Sequence, residues 1–491
     1  MRLRRFSGSR AIESGSRTNL RSTVPRVEYA TFFLSSAMSL RRQELFSLAR
    51  LGVPVMAAQL LQMSMGLMDT IMAGRLSAQD LAGVALAGSV FWPTQLLFSG
   101  IITAATPMIA QLSGAKRLAE VGEVIRQGFW IVLFASIALW FVLNHMALLY
   151  SLLRIDPETA AISTRYLGYV SFGIPALLSY FLLRYLCEGM GFTMPAMIIA
   201  LIALALKIPL NYAFIYGQFG APQLGGAGCG QVSAMLWWIE MSAMLLFVTR
   251  KRFRITGTFN RFSWPQSATL MRFVRIGLPS ATTTFAEAMA FSAMPLLLGQ
   301  FGPRVVAAHS IAGNINGCTF MIPLGIGVAA TIRVGHSVGA GDINRARAAA
   351  QAAVITAAVF GVVVGIVLAI ARTLIATAFV TDDAVIALAA SVILFVACYQ
   401  IADDTQVVMI GALRGYKDTQ APMLIALLGY WIVGMPISVW LCFGFGLAKP
   451  WGIYGMWTGM TAGLAVVAAL LALRLWRVSQ DESRVLALAA R

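Results

Sequence analysis

The sequence has few charged residues, few cysteines and only three histidines. Charged residues make up 12% of the 491 residues and hydrophobic residues 59%, whereas soluble domains carry about 25% charged residues. This scarcity excludes an ordinary soluble globular protein. The five cysteines lack the spacing of metal ligands, and His309 and His336 each lie far from a second histidine. We therefore predict packing roles for these residues and no resident metal centre.

Motifs of catalysis and nucleotide binding are also missing. The chain shows no Ser/His/Asp grouping and no ATP-binding motif, and the glycine-rich stretch 217–230 lacks the lysine and Ser/Thr of a phosphate-binding loop. We therefore predict neither an enzyme nor a bound cofactor. Energy for work across a membrane would come from an ion gradient, where one charge moved through 100 mV is worth ~2.3 kcal/mol.

Long apolar runs are what the sequence has in abundance. They exceed the ~18 residues at which a membrane-spanning helix is the expected structure, and they are continuous rather than alternating as in a barrel. The fold class predicted is an all-α polytopic membrane protein with twelve transmembrane helices. The predicted spans lie near 51–73, 84–112, 128–150, 166–187, 195–216, 228–249, 276–299, 306–332, 350–378, 385–411, 421–443 and 451–476.

The distribution of basic residues predicts the orientation. The net charge of +17 is concentrated in alternate connections, and the central connection near 250–275 alone carries seven Lys or Arg residues. Basic connections face the cytoplasm, so both termini are predicted to be cytoplasmic and the location to be a bacterial inner membrane. We predict contact with membrane lipid and no nucleic-acid partner.

Residues 1–45 form a basic, serine-containing segment. Its apolar patch, 29–40, is too short to span a membrane, and no cleavage site follows the arginines as in a signal peptide. We predict a disordered N-terminal tail or a start codon placed too early, with an organelle transit peptide as the alternative.

An internal duplication divides the remainder. Arg275-Ile-Gly-Leu-Pro279 repeats Arg50-Leu-Gly-Val-Pro54, and an offset of 225 positions aligns more than sixty residues without a gap. Six spans per half give both copies the same orientation, so we predict two pseudo-symmetric six-helix lobes with a central cleft. The predicted units are an N-lobe with the central loop (46–262), a C-lobe (263–478) and a cytoplasmic C-terminal tail (479–491). This plan favours an alternating-access transporter over a channel.

The second half carries a group of candidate carboxylates. An ionisable residue in the middle of a membrane costs at least ~2.5 kcal/mol on insertion scales and therefore marks function. Glu287 lies in the seventh span, and Asp403 and Asp404 lie in the tenth. Tyr399 is four residues before Asp403 and shares its helix face, so Asp403 is the aspartate expected to face the interior. The Glu287/Asp403 pair is suited to holding a proton or a sodium ion.

The first half carries a mixed set. Asp69 lies near the outer end of the first span, with Gln62 seven residues back on the same face. Lys207 lies midway along the fifth span with Asn211 one turn further, and a buried lysine requires a partner. Asp69 and Glu240 are the candidates, and Glu240 could equally be a structural residue.

These motifs resemble the multidrug and toxic compound extrusion family, and its NorM-type bacterial subgroup in particular. The resemblance covers about residues 45–476 and is carried by Leu67-Met-Asp69-Thr-Ile-Met-Ala-Gly74-Arg, Ile208-Pro-Leu-Asn211, Phe285-Ala-Glu287, Tyr399-Gln-Ile-Ala-Asp403 and Gly411-Ala-Leu-Arg-Gly-Tyr-Lys-Asp-Thr419. It implies a monomeric antiporter that exports cationic, amphipathic drugs in exchange for H⁺ or Na⁺. It also implies that Asp69, Glu287 and Asp403, with Tyr399, couple the cation, and that a sodium ion can bind at Glu287 and Asp403.

The sequence departs from the family pattern at two positions. Lys207 stands where the family commonly has asparagine, and Asp404 stands where a small residue is usual. A lysine beside Asp69 would compete with sodium, which favours protons as the coupling ion. A lipid-linked oligosaccharide flippase is the alternative function, but it predicts a cationic cleft, whereas the buried charges here are mainly acidic.

Overall fold

The described part of the chain contains twelve helices that are long and apolar enough to cross a membrane. The computed structural model describes the backbone of residues 26–446 and 449–490, and side chains from residue 43 onward. No strand occurs in these ranges. The helices, called first to twelfth below, are Gln43–Leu76, Ala78–Gly114, Leu118–Leu152, Pro157–Gly189, Met194–Tyr216, Gly225–Val248, Ser267–Phe301, Pro303–Gly339, Ile343–Phe379, Asp383–Gly415, Gln420–Phe443 and Ile453–Gln480. The predicted number of spans is confirmed.

Several helices are longer than the apolar runs that predicted them. The eighth helix has 37 residues, or about 55 Å, whereas the hydrocarbon core of a bilayer is about 30 Å thick. Helical turns therefore continue into the polar region, where short polar side chains cap their first turns. Capping oxygens accept backbone N–H bonds at Ser77, Asp156, Asp342 and Asp382.

Some helices contain local changes of geometry. The second helix has a break between Ala78–Ile102 and Ala105–Gly114, and the third has one at His145. The eleventh helix contains a π-helical segment, Leu428–Gly434, between α-helical ends. Such segments occur often at functional sites because they realign the side chains that follow.

The buried apolar residues divide between two lobes. One cluster runs from Ala73 to Ile276 and belongs to the first six helices and the start of the seventh. Two other clusters lie almost entirely in the last six helices, although Leu48 of the first helix joins one of them. The fold class predicted from the duplication, two six-helix lobes, is confirmed.

Glycines that the duplication aligns lie where the lobes meet. A Cβ at Gly339 would lie 1.9 Å from the carbonyl oxygen of Gln111, and a Cβ at Gly114 would lie 2.0 Å from that of His336. Gly277 approaches Ile101 in the same way, at 2.2 Å. Only glycine allows backbones to approach so closely. These contacts join the second helix to the start of the seventh helix and to the end of the eighth.

Hydrogen bonds between the lobes follow the same pseudo-symmetry. The Gln111 side chain donates to the carbonyl oxygen of Gly415 at 3.0 Å, and His336 Nε2 contacts that of Gly189 at 2.7 Å. Each residue aligns with its counterpart in the duplication. At the same end, Glu44, which is fully buried, accepts hydrogen bonds of 2.7–2.9 Å from Arg333 and one of 2.7 Å from Arg345. The lobes are therefore closed at the end that carries the basic connections.

Farther along the first and eighth helices, glycines have fewer close neighbours. The Met63 methyl group lies 3.7 Å from a Cβ built at Gly317, and a Cβ built at Gly66 or Gly313 would have nothing within 4 Å. The close backbone approaches between the lobes described above therefore belong to the end that carries the basic connections.

Both ends of the chain contain helical residues beyond the twelve spans. Residues 1–25 of the predicted disordered tail lie outside the described residues, whereas the backbone from Arg26 is helical and continuous with the first span. The burial of Glu44 between two arginines ties this part of the chain to the C-lobe. At the other end, the helix Glu482–Ala489 packs through Val485, which is fully buried.

Candidate functional site

A glutamine joins the two principal carboxylates of the C-lobe. Gln406 Nε2 lies 3.0 Å from Glu287 Oε1 on the seventh helix and 3.3 Å from Asp403 Oδ1 on its own helix. Asp403 and Gln406 are three residues apart, so both project from one face of the tenth helix. The predicted convergence of Glu287 and Asp403 is thus present, with a bridging amide that the sequence reasoning did not single out.

Tyr430 completes the group. Its hydroxyl donates to Glu287 Oε1 at 2.9 Å and lies 2.5 Å from Gln406 Nε2. Tyr430 belongs to the π-helical segment of the eleventh helix, which no sequence pattern predicts. It was missed for that reason, whereas the i, i+3 spacing to Asp403 could have identified Gln406.

The hydrogen-bond donors around this group are fewer than its acceptors. Gln406 Nε2 has two N–H bonds and three acceptors within 3.3 Å. Asp403 Oδ2 and the Tyr399 hydroxyl are buried without a hydrogen-bond partner. Neither Glu287 nor Asp403 forms an ion pair with any Lys or Arg in the described part of the chain. Two carboxylates held only by neutral donors attract a cation strongly.

The other predicted residues of the C-lobe take different positions. Tyr399 stacks on Trp457 with ring centroids 5.8 Å apart. Asp404 is fully buried but turns away from Glu287: it accepts from Gln400 at 2.9 Å, and its Oδ2 lies against Gly361 of the ninth helix. Adjacent helical residues diverge by about 100°. Asp404 therefore faces the ninth helix rather than Glu287, and its Oδ2 is buried without a hydrogen-bond partner.

In the N-lobe, Asp69 is paired with the lysine. Lys207 Nζ lies 2.9 Å from Asp69 Oδ2 and donates to Ser233 Oγ, also at 2.9 Å. Asn211 donates to Asp69 Oδ1 at 2.8 Å. The side chains of Asp69 and Lys207 are 9% and 4% exposed. Both oxygens of Asp69 are thus occupied, one by a built-in cation.

Two candidates of the N-lobe do not join this pair. Gln62 is half-buried and is absent from the hydrogen bonds of Asp69, which go to Lys207 and Asn211. Glu240 is buried but contacts neither Lys207 nor any other cation within the described ranges. The sequence reasoning also missed a buried ion pair between Arg184 and Glu188, 2.6 Å long. Its i, i+4 spacing was the available signal.

No cluster of three or more His, Cys, Asp or Glu side chains suited to a metal ion occurs in residues 43–446 and 449–490. His309 packs on Trp457, and His336 bonds to the backbone of Gly189. Both histidines take the packing and interface positions predicted for them.

Comparison with known proteins identifies the family. The sequence model of the MatE family matches residues 54–213 and 279–440. The chain belongs to the MatE family. The two matched segments are nearly equal in length and correspond to the two halves of the duplication. Asp69 and Lys207 lie in the first, and Glu287, Asp403 and Tyr430 lie in the second.

Curated MatE relatives match over most of their length. The chain is 38% identical over 445 residues to the multidrug resistance protein NorM of Aliivibrio fischeri, covering 90% of this chain and 97% of the relative. It is 39% identical to MdtK of Edwardsiella ictaluri (91% and 99% covered) and 39% identical to PmpM of Pseudomonas aeruginosa (89% and 92%). The predicted resemblance to the NorM-type subgroup is confirmed, and with it a transport protein rather than an enzyme.

Solved MATE structures share the fold. The eukaryotic MATE transporter AtDTX14 matches with a TM-score of 0.81 at 22% identity, covering 91% of this chain and 99% of that one. The Vibrio cholerae MATE transporter VcmN in the bent form matches with 0.79 at 18% identity, covering 92% and 99%. The chain is therefore a multi-pass membrane protein with the MATE architecture.

Proposed function

We propose that this protein is a multidrug efflux antiporter that exports cationic, amphipathic compounds in exchange for protons or sodium ions. The observation that carries the proposal is the Glu287/Asp403 group, in which two membrane-embedded carboxylates have only neutral hydrogen-bond donors. Relatives 38–39% identical over about 90% of the chain are named multidrug resistance proteins. One chain contains both lobes and the cleft, so we propose that a monomer in the lipid bilayer is the working unit.

The basic connections give the proposed orientation. They lie at the closed end of the lobes, and basic connections face the cytoplasm. Both termini then lie on the cytoplasmic side of a bacterial inner membrane, and the cleft opens outward. In this state Glu287 is half-buried and Asp403 is fully buried, so Glu287 is the more exposed member of the pair.

In the proposed mechanism, the drug and the coupling ion compete for the same two carboxylates. A cationic drug is held in the cleft by the charge of the Glu287/Asp403 group, in addition to apolar contacts. A proton or sodium ion that arrives from outside neutralises that charge, which weakens the hold on the drug. The neutralised lobe can then reorient at lower cost, because fewer charges are moved through a low-dielectric medium.

Efflux by variants of the two carboxylates tests the proposal. In cells that produce Glu287→Gln or Asp403→Asn, we expect the export of ethidium or norfloxacin to fall to the level of cells without the transporter. Asp404→Asn is the matched control, because its side chain is buried on the same helix but faces Gly361. It should retain most of the export. Wild-type export by both Glu287→Gln and Asp403→Asn would refute the assignment.

Lys207 makes protons the favoured coupling ion. A sodium ion at Asp69 would have to displace an ammonium group that lies 2.9 Å from the carboxylate, and exchanging one buried cation for another offers little gain. We expect transport in inside-out vesicles to follow an imposed pH gradient and to ignore an imposed sodium gradient. Lys207→Asn should acquire sodium dependence. Sodium-driven transport by the unaltered protein would contradict this assignment.

A further inference from the structure

Glu240 is a buried carboxylate for which the proposed mechanism has no use. It lies midway along the sixth helix and is 2% exposed. Its Oε1 atom is buried and has no hydrogen-bond partner. A buried carboxylate oxygen without a partner is costly when ionised, and the cost falls sharply when the group binds a proton.

The groups that face Glu240 come from two neighbouring helices. The cations whose attraction reaches it are Lys207 of the fifth helix and Arg184 of the fourth. The fourth helix also supplies Tyr180, whose buried hydroxyl is likewise without a partner. Glu240 thus has two cations in its neighbourhood and forms an ion pair with neither of them.

The charges of the N-lobe interior do not pair evenly. Lys207 contacts Asp69, and Arg184 contacts Glu188 at 2.6 Å. These two pairs use both cations, so Glu240 is the carboxylate left over. If all five groups were ionised, the interior would carry a net charge of −1 in a low-dielectric medium. One bound proton removes that excess.

Lys207 is already in contact with the helix that carries Glu240. Its Nζ donates to Ser233 Oγ, and Ser233 precedes Glu240 by two helical turns on the same face. Side chains of a helix lean toward its N-terminus, so Glu240 leans toward Ser233. The flexible four-carbon stem of a lysine allows its ammonium group to exchange partners without backbone movement.

We propose that Glu240 is a proton-binding site of the N-lobe and the alternative partner of Lys207. Glu240 holds a proton while Lys207 pairs with Asp69, and it is ionised when Lys207 pairs with Glu240 instead. In the exchange, the O–H bond of Glu240 breaks and its proton passes to water, while Asp69 takes a proton from water in the cleft. Lys207 keeps its charge throughout, so the net charge of the lobe does not change.

A role for Glu240 in transport rests on the proposed proton coupling, which it would extend to a further acidic group. The protonation of Glu240 itself does not rest on that coupling. The protonation of Glu240 can be measured without transport. A protonated carboxylic acid has an infrared carbonyl band that shifts in D₂O and that an ionised carboxylate lacks. Purified protein in a detergent without ester groups, at neutral pH, is the sample required.

The first comparison subtracts the spectrum of Glu240→Gln from that of the unaltered protein. We expect the difference to contain the carbonyl band of one protonated acid. Glu120→Gln is the control, because Glu120 is half-exposed and paired with Arg117, and its subtraction should contain no such band. Absence of the band from the Glu240 subtraction would overturn the proposal.

The second comparison repeats the subtraction in two other backgrounds. In Asp69→Asn, Lys207 loses its partner and should move to Glu240, so the band should disappear. In Asp69→Asn/Lys207→Gln, no cation remains to stabilise ionised Glu240, so the band should return. A band that persists in Asp69→Asn would show that Lys207 does not change partner. Loss of drug export in Glu287→Gln tests the proposed function separately and leaves these spectra unaffected.

Discussion

The two lobes share a scaffold but differ in how their buried acids are compensated. In the N-lobe, Asp69 has a lysine 2.9 Å away. In the C-lobe, Glu287 and Asp403 share one amide, Glu287 also accepts from one phenol, and neither contacts a cationic side chain within the described residues. We therefore expect the C-lobe to take its cation from solution, whereas the N-lobe carries its own.

The backbone shows how far the symmetry extends. Gly114 and Gly339 are equivalent in the duplication and make equivalent contacts, each with a carbonyl group of the opposite lobe. The interface between the lobes is thus conserved between the two halves of one chain, while their polar interiors have diverged.

Removal of the built-in cation should have the largest effect on stability. Lys207→Met leaves Asp69 buried without its partner, and loss of one member of a buried pair costs about 3–5 kcal/mol. We expect a correspondingly lower thermal unfolding midpoint in detergent. The double variant Lys207→Met/Asp69→Leu should recover most of the loss, since neither charge remains.

The C-lobe should respond in the opposite way. Glu287→Gln removes one of two neighbouring carboxylates and should leave the unfolding midpoint unchanged or raise it, because no buried cation loses a partner. Equal destabilisation by Lys207→Met and Glu287→Gln would mean that the two lobes do not differ as described.

The sequence predicted the fold better than it predicted the details of the sites. Twelve spans and two lobes follow from continuous apolar runs and a fixed-offset repeat, which are both properties of the chain itself. The cost of an unpaired buried charge predicted that Lys207 would pair with Asp69 or Glu240, and Lys207 lies against Asp69. Tyr430 could not be predicted, because its position depends on a π-helical segment that leaves no periodic signal.

The choice between Asp403 and Asp404 shows what helix periodicity can decide. Their 100° separation predicted that only one would face Glu287, and the spacing from Tyr399 favoured Asp403, which is the residue bridged to Glu287 by Gln406. Periodicity did not place Asp404 against Gly361, since that contact requires knowledge of which helix packs behind the tenth. The resting conformation could not be predicted either, because the sequence is the same in every state of a transport cycle.

The symmetry of the interface between the lobes gives a further prediction. Gly114→Ala and Gly339→Ala should each prevent close approach at the basic end, where an added Cβ would meet a carbonyl oxygen at 2.0 or 1.9 Å. Overpacking costs about 1–3 kcal/mol, which should shift the population toward the state closed at the other end. Alkylation of a cysteine introduced at Met63 would report the shift as slower labelling from the outside.

The control for these variants is Gly313→Ala, whose Cβ has nothing within 4 Å. In this variant the cysteine introduced at Met63 should be alkylated at the same rate as in the protein that keeps Gly313. A clear difference between Gly114→Ala and Gly339→Ala would show that the interface is less symmetric than its backbone contacts indicate.

The smallest effect is expected at a turn where the lobes differ. Gly191 and Lys417 are equivalent positions, and both adopt left-handed backbone angles, with φ of 84° and 61°. Glycine does so without strain, whereas another residue pays about 1 kcal/mol. Lys417→Gly should therefore raise the unfolding midpoint by about 1 °C, offset in part by loss of the hydrogen bond from Lys417 Nζ to the carbonyl oxygen of Ala489. Lys417→Ala loses the same hydrogen bond and should not show the gain.

The gain should also depend on pH. Burial, with repulsion from Arg272 and Arg117, lowers the pKa of Lys417 from 10.5 to about 8. Because the folded state binds this proton more weakly than the unfolded state, Lys417 lowers stability most below pH 8, and its cost declines as the pH rises toward 10.5. The advantage of Lys417→Gly over the unaltered protein should shrink across that interval and approach the backbone contribution alone. An advantage that stays constant from pH 7 to 10 would show that the charge of Lys417 does not lower the stability of the folded state. Only the left-handed turn would then distinguish Lys417 from Gly191.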